Sequence, residues 1–437
     1  MNSGVRIKSV QWDTLSDEER KTALLRPVSR REAEFSDKVE RIIQTVKRGG
    51  DSALLSLTEQ YDGVSLKALK VTQAEIEFAR EIVDPSLIHA MKEAIRRISL
   101  FHEAEIPRSI DLETSPGVRC ERRFFPIDRV GLYVPGGTAS LPSTVMMLGV
   151  PSLIAGCSLR VLATPPQKDG SIDPSILVAA HLLGITEIYK MGGAQAIAAL
   201  AYGTQSVPKV DKIFGPGNSW VTEAKLFVAQ DPKGAACDLP AGPSEVMVIA
   251  DVYANPAFVA SDLLSQAEHG SDSQVILISE SSKLIQSVLL ELSRQLGRLP
   301  RESIAREALE KSLLIEVNEM NEALAISNEY APEHLILQVE NARGLAGRVK
   351  NAGSVFIGPW SPESVGDYAS GTNHVLPTYG FARAYSGLST ESFLKAITFQ
   401  ELTRNGLKEL GPVVQRLALA EKLDAHQNAV TIRLETL

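Results

Sequence analysis

The sequence predicts an α/β protein with two similar, incomplete Rossmann-like domains on parallel sheets, flanked by helical N-terminal and C-terminal arms. Two observations predict this. Short apolar runs alternate with helical patterns of about ten to fifteen residues, which is typical of βαβ units with right-handed crossovers. Three of these runs also end in a glycine turn that opens a helix. The alternation starts twice over similar lengths, so duplication is a hypothesis, although no strong residue-level repeat supports it.

The N-terminal arm, residues 1–115, is predicted to be helical and charged. Asp37 can cap a helix, and the apolar residues that follow have the spacing of one helix face. They are Val39, Ile42, Ile43 and Val46. We expect Gly49 and Gly50 to end this helix. Two more helices are predicted over 73–80 and 86–103.

The first α/β domain, which contains the three glycine turns, is predicted to cover residues 116–243. Its apolar runs predict strands at 130–134, 159–164, 187–191 and 210–214. The helical patterns between and after them lie at 143–155, 174–183, 194–203 and 218–225. Glycine turns follow three of the strands, at 135–137, 192–193 and 215–218.

The second α/β domain is predicted to cover residues 244–380. Its strands are predicted at 245–250, 274–279, 313–317, 335–339 and 354–358. Its helices are predicted at 261–270, 283–297 and 320–329. The pattern then becomes helical again, which predicts a C-terminal arm over 381–437.

The composition excludes several functional classes. With 44% hydrophobic and 22% charged residues, the chain has the composition of an ordinary globular protein. The formal net charge is −8, and no basic stripe with interleaved aromatic residues indicates nucleic-acid binding. No apolar run approaches the ~18 residues of a membrane span. The cysteines Cys120, Cys157 and Cys237 are odd in number and form no CxxC motif, so we expect a reducing compartment, the cytoplasm.

The stretch 261–270 is the first candidate site. At helical spacing Asp262, Gln266 and His269 share one side, and Gln266 and His269 are neighbours on it. The opposite, apolar side carries Ala260, Leu263, Leu264 and Ala267. The polar side is either an ordinary solvated surface or a face that offers lone pairs to a cation or a polar ligand.

Other polar residues lie where a globular core rarely has them. They are Ser244 and Glu245 before a strand, Glu333 and His334 at the start of another, Asp367 and His374 in a loop of small residues, and Glu421 and His426 in the C-terminal arm. If these segments converged, Gln266, His269, Asp367 and His426 would offer nitrogen and oxygen ligands suited to zinc or manganese. Of these four, only Gln266 and His269 are close in sequence, so the spacing leaves convergence open.

The glycine turns are candidates for a nucleotide site, because backbone N–H groups at the start of a helix can bind phosphates. None of them has the GxGxxG pattern. Tyr133, Gln195 and Asn218 adjoin the three turns. Each could contact a cofactor, and each could equally cap its own loop.

Seven segments, taken in chain order, resemble the histidinol dehydrogenase family. They read VGLYVPGG, GGAQAIAALAYGT, KIFGPGN, LPAGPSEV, SDLLSQAEHG, YAPEHL and SPESVGDYASGTNHVLPT. The resemblance extends from about residue 30 to the end of the chain. It implies NAD- and zinc-dependent, four-electron oxidation of L-histidinol to L-histidine through L-histidinaldehyde, the last step of histidine biosynthesis.

The resemblance also implies roles for individual residues. His334 would be the general base, and Glu333 would activate the water that hydrates the aldehyde. One zinc ion per subunit would be bound by Gln266, His269, Asp367 and His426. These four, with His334, Ser244, His374 and Glu421, would form the substrate site. The NAD contacts would be Tyr133, Gln195 and Asn218.

The family forms intertwined homodimers, so the C-terminal arm is expected to complete the neighbouring subunit's site with Glu421 and His426. Three alternatives stay open at this stage. They are an NAD- and zinc-dependent dehydrogenase of another small polar alcohol, a two-lobed binding protein without catalysis, and a zinc hydrolase. Zinc content would separate the binding protein from the enzymes, and formation of NADH would exclude the hydrolase.

Overall fold

The protein is described by a computed structural model over residues 5–26, 33–136, 140–239 and 242–437. It contains parallel sheets of five and six strands and an antiparallel sheet of three strands. The predicted α/β class is therefore confirmed. Gly137, in the first predicted glycine turn, lies outside the described residues.

The N-terminal segment contains one short strand and four helices. These are β1 (Lys8–Gln11), α1 (Asp17–Ala23), α2 (Ala33–Asp62), α3 (Gln73–Ile82) and α4 (Pro85–Ala104). The helices predicted over 73–80 and 86–103 are confirmed by α3 and α4. The prediction that Gly49 and Gly50 end a helix is confirmed, because the backbone at Gly50 is not helical and α2 consists of two helices joined at this kink. The second of these helices was not predicted. Gly50 has a φ of 55°, which glycine adopts without steric cost, so the chain bends there and resumes its helix.

The first parallel sheet follows two strands of the antiparallel sheet, β2 (Ile110–Ser115) and β3 (Val118–Pro126). Its elements are β4 (Arg129–Tyr133), α5 (Pro142–Ile154), β5 (Leu159–Thr164), α6 (Pro174–Leu182), β6 (Glu187–Lys190), α7 (Gly193–Tyr202), β7 (Lys212–Phe214), α8 (Ser219–Gln230) and β8 (Ala236–Cys237). The strand order is β6-β5-β4-β7-β8. The four strands predicted in this region are confirmed, and β8 was missed.

The second parallel sheet repeats this arrangement. Its elements are β9 (Glu245–Ala250), α9 (Pro256–Ala267), β10 (Gln274–Ser279), α10 (Ser282–Leu296), α11 (Glu302–Glu310), β11 (Leu313–Glu316), α12 (Met320–Tyr330), β12 (His334–Gln338), α13 (Ala342–Ala346), β13 (Ser354–Ile357) and α14 (Glu363–Tyr368). The order is β1-β11-β10-β9-β12-β13. Without β1, the strands of each sheet follow the order third, second, first, fourth, fifth, as in one part of a Rossmann fold. The prediction of two similar, incomplete Rossmann-like units is confirmed.

The burial of β9 and β10 shows why the central strands were recognisable. Every residue of both strands is buried, because helices cover both faces of a parallel sheet. Such strands are continuous apolar runs in the sequence. The edge strand β1 has no such signal, since three of its four residues are exposed.

The chain ends with β14 (Leu394–Leu402), α15 (Arg404–Ala420) and α16 (Asp424–Glu435). β14 pairs antiparallel with β3 along its whole length, from Leu394 opposite Pro126 to Leu402 opposite Val118. The predicted C-terminal arm is thus helical at its end, but two short 3-10 helices, Phe381–Arg383 and Thr390–Phe393, and the strand β14 come before these helices. The sequence analysis missed β2, β3 and β14, because eight of the nine residues of β14 and most of β2 are exposed and no buried run marks them.

No helix among the described residues is both long enough and apolar enough to cross a membrane. The boundaries predicted for the domains, at residues 116, 244 and 381, stay a prediction, and we retain them as a proposal.

Candidate functional site

The candidate catalytic residues lie at the amino-terminal edge of the second sheet. β9 and β12 are neighbours there, with His334 opposite Val246. Helix α9 runs antiparallel to the strands that it connects, so its last turn returns to the same edge. That turn carries Gln266, and His269 follows it. The topology therefore places two separate sequence segments at one edge.

His334 is buried, and its two ring nitrogens have different surroundings. Nδ1 lies 3.1 Å from the backbone oxygen of Glu245. Because a carbonyl only accepts hydrogen bonds, this contact places the ring proton on Nδ1. Nε2 has no hydrogen-bond partner among the described residues. Burial lowers the pKa of His334 to about 3, so the ring is neutral at pH 7 and Nε2 has a free lone pair.

Glu333 is bound to the same backbone position. Its Oε2 accepts a hydrogen bond of 2.8 Å from the backbone N–H of Glu245. Burial raises the pKa of Glu333 well above its usual range, and the carboxylates of Glu245 and Asp367 raise it further. A buried carboxylate with a raised pKa is a strong base once it is ionised. Glu333 and His334 are thus two buried ionisable side chains bound to the same backbone position.

Two more carboxylates face His334 from helix α14. Glu363 Oε1 lies 3.4 Å from His334 Nδ1, and Asp367 Oδ1 lies 3.9 Å from His334 Nε2. Burial raises the pKa of Asp367 to about 7. Burial, followed by Asp367 and Glu333, also raises the pKa of Glu363 well above its usual value. A cation in this place would relieve the repulsion between these carboxylates.

His334, Glu363 and Asp367 offer ligand atoms that lie within 4.8 Å of one another. Among the described residues, no other group of three or more histidine, cysteine or acidic side chains is arranged so that it could hold a metal ion. Sequence reasoning missed Glu363. Its signal is the spacing of four residues from Asp367, which places both carboxylates on one face of α14.

Gln266 is fully buried, and among the described residues neither its Oε1 nor its Nε2 has a hydrogen-bond partner. An unsatisfied buried amide is costly, by about 1–3 kcal/mol for each polar group. Both polar atoms of the Gln266 amide are therefore available to a ligand. The predicted solvated surface does not fit this residue, whereas a face that binds a cation does.

His269 and His374 lie close to this cluster. The pKa of His374 is lowered to about 4, first by burial and also by His269, and His269 acts on His334 in the same direction. His374 Nδ1 lies 3.0 Å from the backbone oxygen of Asp367, and its Nε2 lies 3.4 Å from Thr144 Oγ1 on α5. This last contact joins the cluster to the first α/β unit.

The candidate cofactor residues share a cavity of about 800 Å³ at the carboxyl-terminal edge of the first sheet. Tyr133 and Thr164, which end β4 and β5, line it together with Gln195 and Asn218. The Tyr133 hydroxyl accepts a hydrogen bond of 3.1 Å from the backbone N–H of Gly193, at the start of α7. Asn218 Oδ1 caps α8 by accepting from the N–H groups of Trp220 and Val221. Three residues from separate turns thus line one cavity.

Gly215 shapes the turn that precedes Asn218. Its φ is 124°, and an added Cβ would lie 2.0 Å from the backbone oxygen of Tyr133. Its N–H donates to Asp238 Oδ2 at 2.7 Å, and Asp238 forms a buried ion pair of 2.6 Å with Lys225. Only glycine fits here, and the ion pair holds the turn in place.

Comparison with known proteins identifies the family. The model of the family described as histidinol dehydrogenase matches residues 26–434. The chain belongs to the histidinol dehydrogenase family. It is 53% identical over 431 residues to the histidinol dehydrogenase of Aliivibrio fischeri, covering 99% of this chain and 97% of that one. For the protein of Xanthomonas euvesicatoria pv. vesicatoria, identity is 54% over 428 residues, covering 98% and 99%.

The fold agrees with this membership. The crystal structure of histidinol dehydrogenase from Elizabethkingia anophelis matches with a TM-score of 0.94 at 47% identity, covering 98% of each chain. The resemblance inferred from the seven sequence segments is therefore confirmed.

Within this histidinol dehydrogenase fold, two predicted site residues lie apart from the others. Glu421 follows α15 and His426 lies in α16, and both are exposed. Among the described residues, no hydrogen bond or ion pair joins either side chain to the cluster around His334. Ser244, directly before β9, lies at the edge that carries the cluster.

Proposed function

We propose that this protein oxidises L-histidinol to L-histidine through L-histidinaldehyde, in an NAD- and zinc-dependent reaction that removes four electrons. The observation that carries the proposal is membership of the histidinol dehydrogenase family over residues 26–434. The neutral His334 with a free Nε2 supports it, because oxidation of an alcohol needs a base that is unprotonated at working pH.

The proposed zinc ligands are Gln266, His269 and Asp367, with His426 supplied by the partner chain. The unpartnered buried amide of Gln266 and the partly buried carboxylate of Asp367 support this set. Its nitrogen and oxygen donors suit zinc. Bound zinc would hold the substrate's imidazole and amine and so fix the reacting carbon.

The compact group of His334, Glu363 and Asp367 offers a second ligand set. The two sets share Asp367 but differ in their consequence for His334. If His334 were a ligand, its Nε2 would not be free to accept a proton. We favour the first set, because it leaves the base free and satisfies Gln266.

The proposed chemistry uses His334 as the base in both oxidations and Glu333 as the base in the hydration between them. His334 Nε2 takes the hydroxyl proton as hydride leaves the carbon that bears this hydroxyl, and bound NAD would accept the hydride. Glu333 takes a proton from the water that adds to the resulting aldehyde, while protonated His334 returns its proton to the aldehyde oxygen, which gives the gem-diol. His334 then removes a hydroxyl proton of the gem-diol as a second hydride leaves the same carbon for a second NAD. After Glu333 and His334 release their protons to solvent, the products are the carboxylic acid, two NADH and two protons.

NAD is proposed to bind in the cavity lined by Tyr133, Gln195 and Asn218. The cavity lies where β4 and β7 adjoin, the point at which the strand order reverses. Ligands of open α/β sheets bind at this position, beyond the carboxyl ends of the strands. L-histidinol is proposed to contact Ser244, His334, His374 and the zinc ligands, with Glu421 from the partner.

Gly215→Ala tests the cofactor site. The new methyl group cannot fit beside the backbone oxygen of Tyr133, so the turn has to move. We expect the Kd for NAD, measured by calorimetry, to rise at least ~10-fold, a loss of about 1.4 kcal/mol. Gly297→Ala is the matched control, because Gly297 has a φ of −67° and no atom within 4 Å of the added carbon. Equal NAD affinities for both variants would contradict the proposed cavity.

We propose an intertwined homodimer in the cytoplasm, in which Glu421 and His426 complete the partner's site. The C-terminal segment supports this, because α16 has no buried residue and several large apolar side chains of the segment are exposed. They are Ile397, Phe399, Val413, Leu417, Leu423 and Ile432. Many exposed apolar residues within one segment are typical of a surface that is covered in an assembly.

The stoichiometry of the reaction tests the proposed function. We expect zinc-loaded protein to form about two NADH for each L-histidinol consumed, since the proposed reaction transfers two hydrides. One NADH would indicate that the reaction stops at the aldehyde. No NADH from L-histidinol, but NADH from another small polar alcohol, would favour a dehydrogenase of different substrate. Zinc binding without any NADH formation would favour a hydrolase, and the absence of both would favour a binding protein without catalysis.

A further inference from the structure

One backbone position holds both proposed proton acceptors. The N–H of Glu245 donates to Glu333 Oε2 at 2.8 Å, and the backbone oxygen of Glu245 lies 3.1 Å from His334 Nδ1. The orientation of both side chains therefore depends on where the start of β9 lies. A small displacement of Glu245 would move the two acceptors together.

The side chain of Glu245 is anchored by Arg26. Arg26 Nε and Nη2 donate to its two carboxylate oxygens at 2.5 and 3.0 Å. The backbone N–H of Tyr379 donates to Glu245 Oε1 at 3.0 Å. The side chains of Arg26 and Glu245 are only 13% and 3% exposed, so the pair is shielded from solvent. A bidentate, buried pair fixes geometry better than an exposed one.

Arg26 is in turn held by Tyr330. Its guanidinium lies 3.8 Å from the centre of the Tyr330 ring, and its Nη2 donates to the Tyr330 backbone oxygen at 2.9 Å. The Tyr330 hydroxyl donates to Gln274 Oε1 at 2.6 Å. Tyr330 ends α12 and Gln274 begins β10, so Arg26 is held by a side chain that is itself fixed within the second α/β unit.

Arg26 itself comes from outside that sheet's βαβ series. It ends the N-terminal strap, which we define as residues 5–26. The strap adds β1 to the sheet beside β11 and then forms α1, none of whose residues is buried. Arg26 and Glu245 are 219 positions apart in the chain. The strap thus places the guanidinium group of Arg26 beside Glu245, whose backbone contacts both Glu333 and His334.

We propose that Arg26 is a positioning residue for the reaction, which acts through Glu245 on Glu333 and His334. It does not touch the reacting atoms. Its bidentate contact sets the Glu245 backbone, and that backbone fixes the ring proton of His334 on Nδ1 and the direction of the Glu333 carboxylate. The proposal rests on the roles proposed above for Glu333 and His334.

Arg26→Met tests this inference, because methionine keeps apolar contact with Tyr330 but loses the charge and both hydrogen bonds. We expect kcat for L-histidinol to fall by up to ~10²-fold, as misplacement of reacting groups does, while KM and zinc content stay at the wild-type values. Arg26→Lys should recover part of the lost kcat, since lysine keeps the charge without the bidentate geometry.

Arg20→Met is the matched control from the same strap. Arg20 lies over the Trp12 ring at 5.4 Å and donates to the Trp12 backbone oxygen, so it supports the strap without reaching Glu245. We expect this variant to keep the wild-type kcat even if its Tm falls. If both arginine variants lost kcat equally, Arg26 would act only through folding of the strap, and the inference would be overturned.

A second measurement does not depend on activity. Nitrogen NMR of the histidine rings, with the His334 signal assigned by comparison with His334→Ala, should show a proton on Nδ1 in the wild type and a mixture of tautomers in Arg26→Met. An unchanged tautomer together with wild-type kcat would overturn the inference. A wild-type protein that fails to oxidise L-histidinol would instead overturn the proposed function, and the NMR result would still decide the role of Arg26. If Arg26→Met does not fold, Arg26→Lys provides both readouts.

Discussion

His334→Ala is expected to lower kcat for L-histidinol by about 10²–10⁴-fold, the usual contribution of a general base. The free Nε2 of His334 is the reason, because this buried ring nitrogen has a lone pair and no hydrogen-bond partner, whereas the unpartnered amide nitrogen of Gln266 cannot accept a proton. NAD affinity and zinc content should stay close to the wild-type values. The measurement is the steady-state rate of NADH formation at saturating L-histidinol and NAD.

The control for this variant is His181→Ala, since His181 is an exposed histidine in α6. It should keep the wild-type rate. Wild-type turnover by His334→Ala would show that another group accepts the proton. A variant that loses its zinc together with its activity would instead support the ligand set of His334, Glu363 and Asp367.

Gln266→Leu is expected to weaken zinc binding by at least ~100-fold, beyond the ~10–100-fold that is usual for residues outside the ligand shell. The physical reason is that the fully buried amide of Gln266 has no hydrogen-bond partner, so a bound ligand would satisfy its polar atoms. The comparison variant is Glu363→Gln, which keeps shape and removes charge. Zinc per chain, measured after dialysis against graded chelator concentrations, should fall for Gln266→Leu and stay near wild type for Glu363→Gln.

The two proposed ligand sets give opposite results in this experiment. Loss of zinc by Glu363→Gln, with Gln266→Leu unaffected, would favour the compact group of His334, Glu363 and Asp367. Loss by neither variant would mean that the cation site lies elsewhere. Zinc content is independent of turnover, so the result stands even for an inactive variant.

The core of the fold was readable from the sequence because burial produces the clearest signal. The run QVILIS predicted β10 with both ends correct, since all six residues are buried between helices. The antiparallel strands β2, β3 and β14 gave no comparable signal. Segments 118–126 and 394–402 pair although they are far apart in the chain. Their mostly exposed residues give no pattern from which this pairing could be predicted. The helix end at Gly49 and Gly50 was predicted correctly, because glycine adopts the positive φ of this kink without steric cost, but the second helix that follows it was missed.

The candidate site was predictable only where its residues are close in sequence. Gln266 and His269 could be paired from helical spacing alone. Only the family resemblance indicated that Glu333, His334 and Asp367 lie near these two residues. Their proximity depends on the order of the parallel strands, which local sequence patterns do not show. Glu363 and Arg26 escaped both routes. Their contacts with His334 and Glu245 depend on how α14 and the strap pack, which no local pattern records.

The two sheets use opposite edges, and this choice has an electrostatic consequence. At the carboxyl edge of the first sheet, helices begin, so α7 presents the positive end of its macrodipole to the cavity. At the amino edge of the second sheet, helices end, so α9 presents its negative end beside Gln266. Two units with the same strand order thus offer opposite electrostatic environments. The cavity at the first sheet suits anions such as a pyrophosphate, and the cluster at the second sheet suits a metal cation.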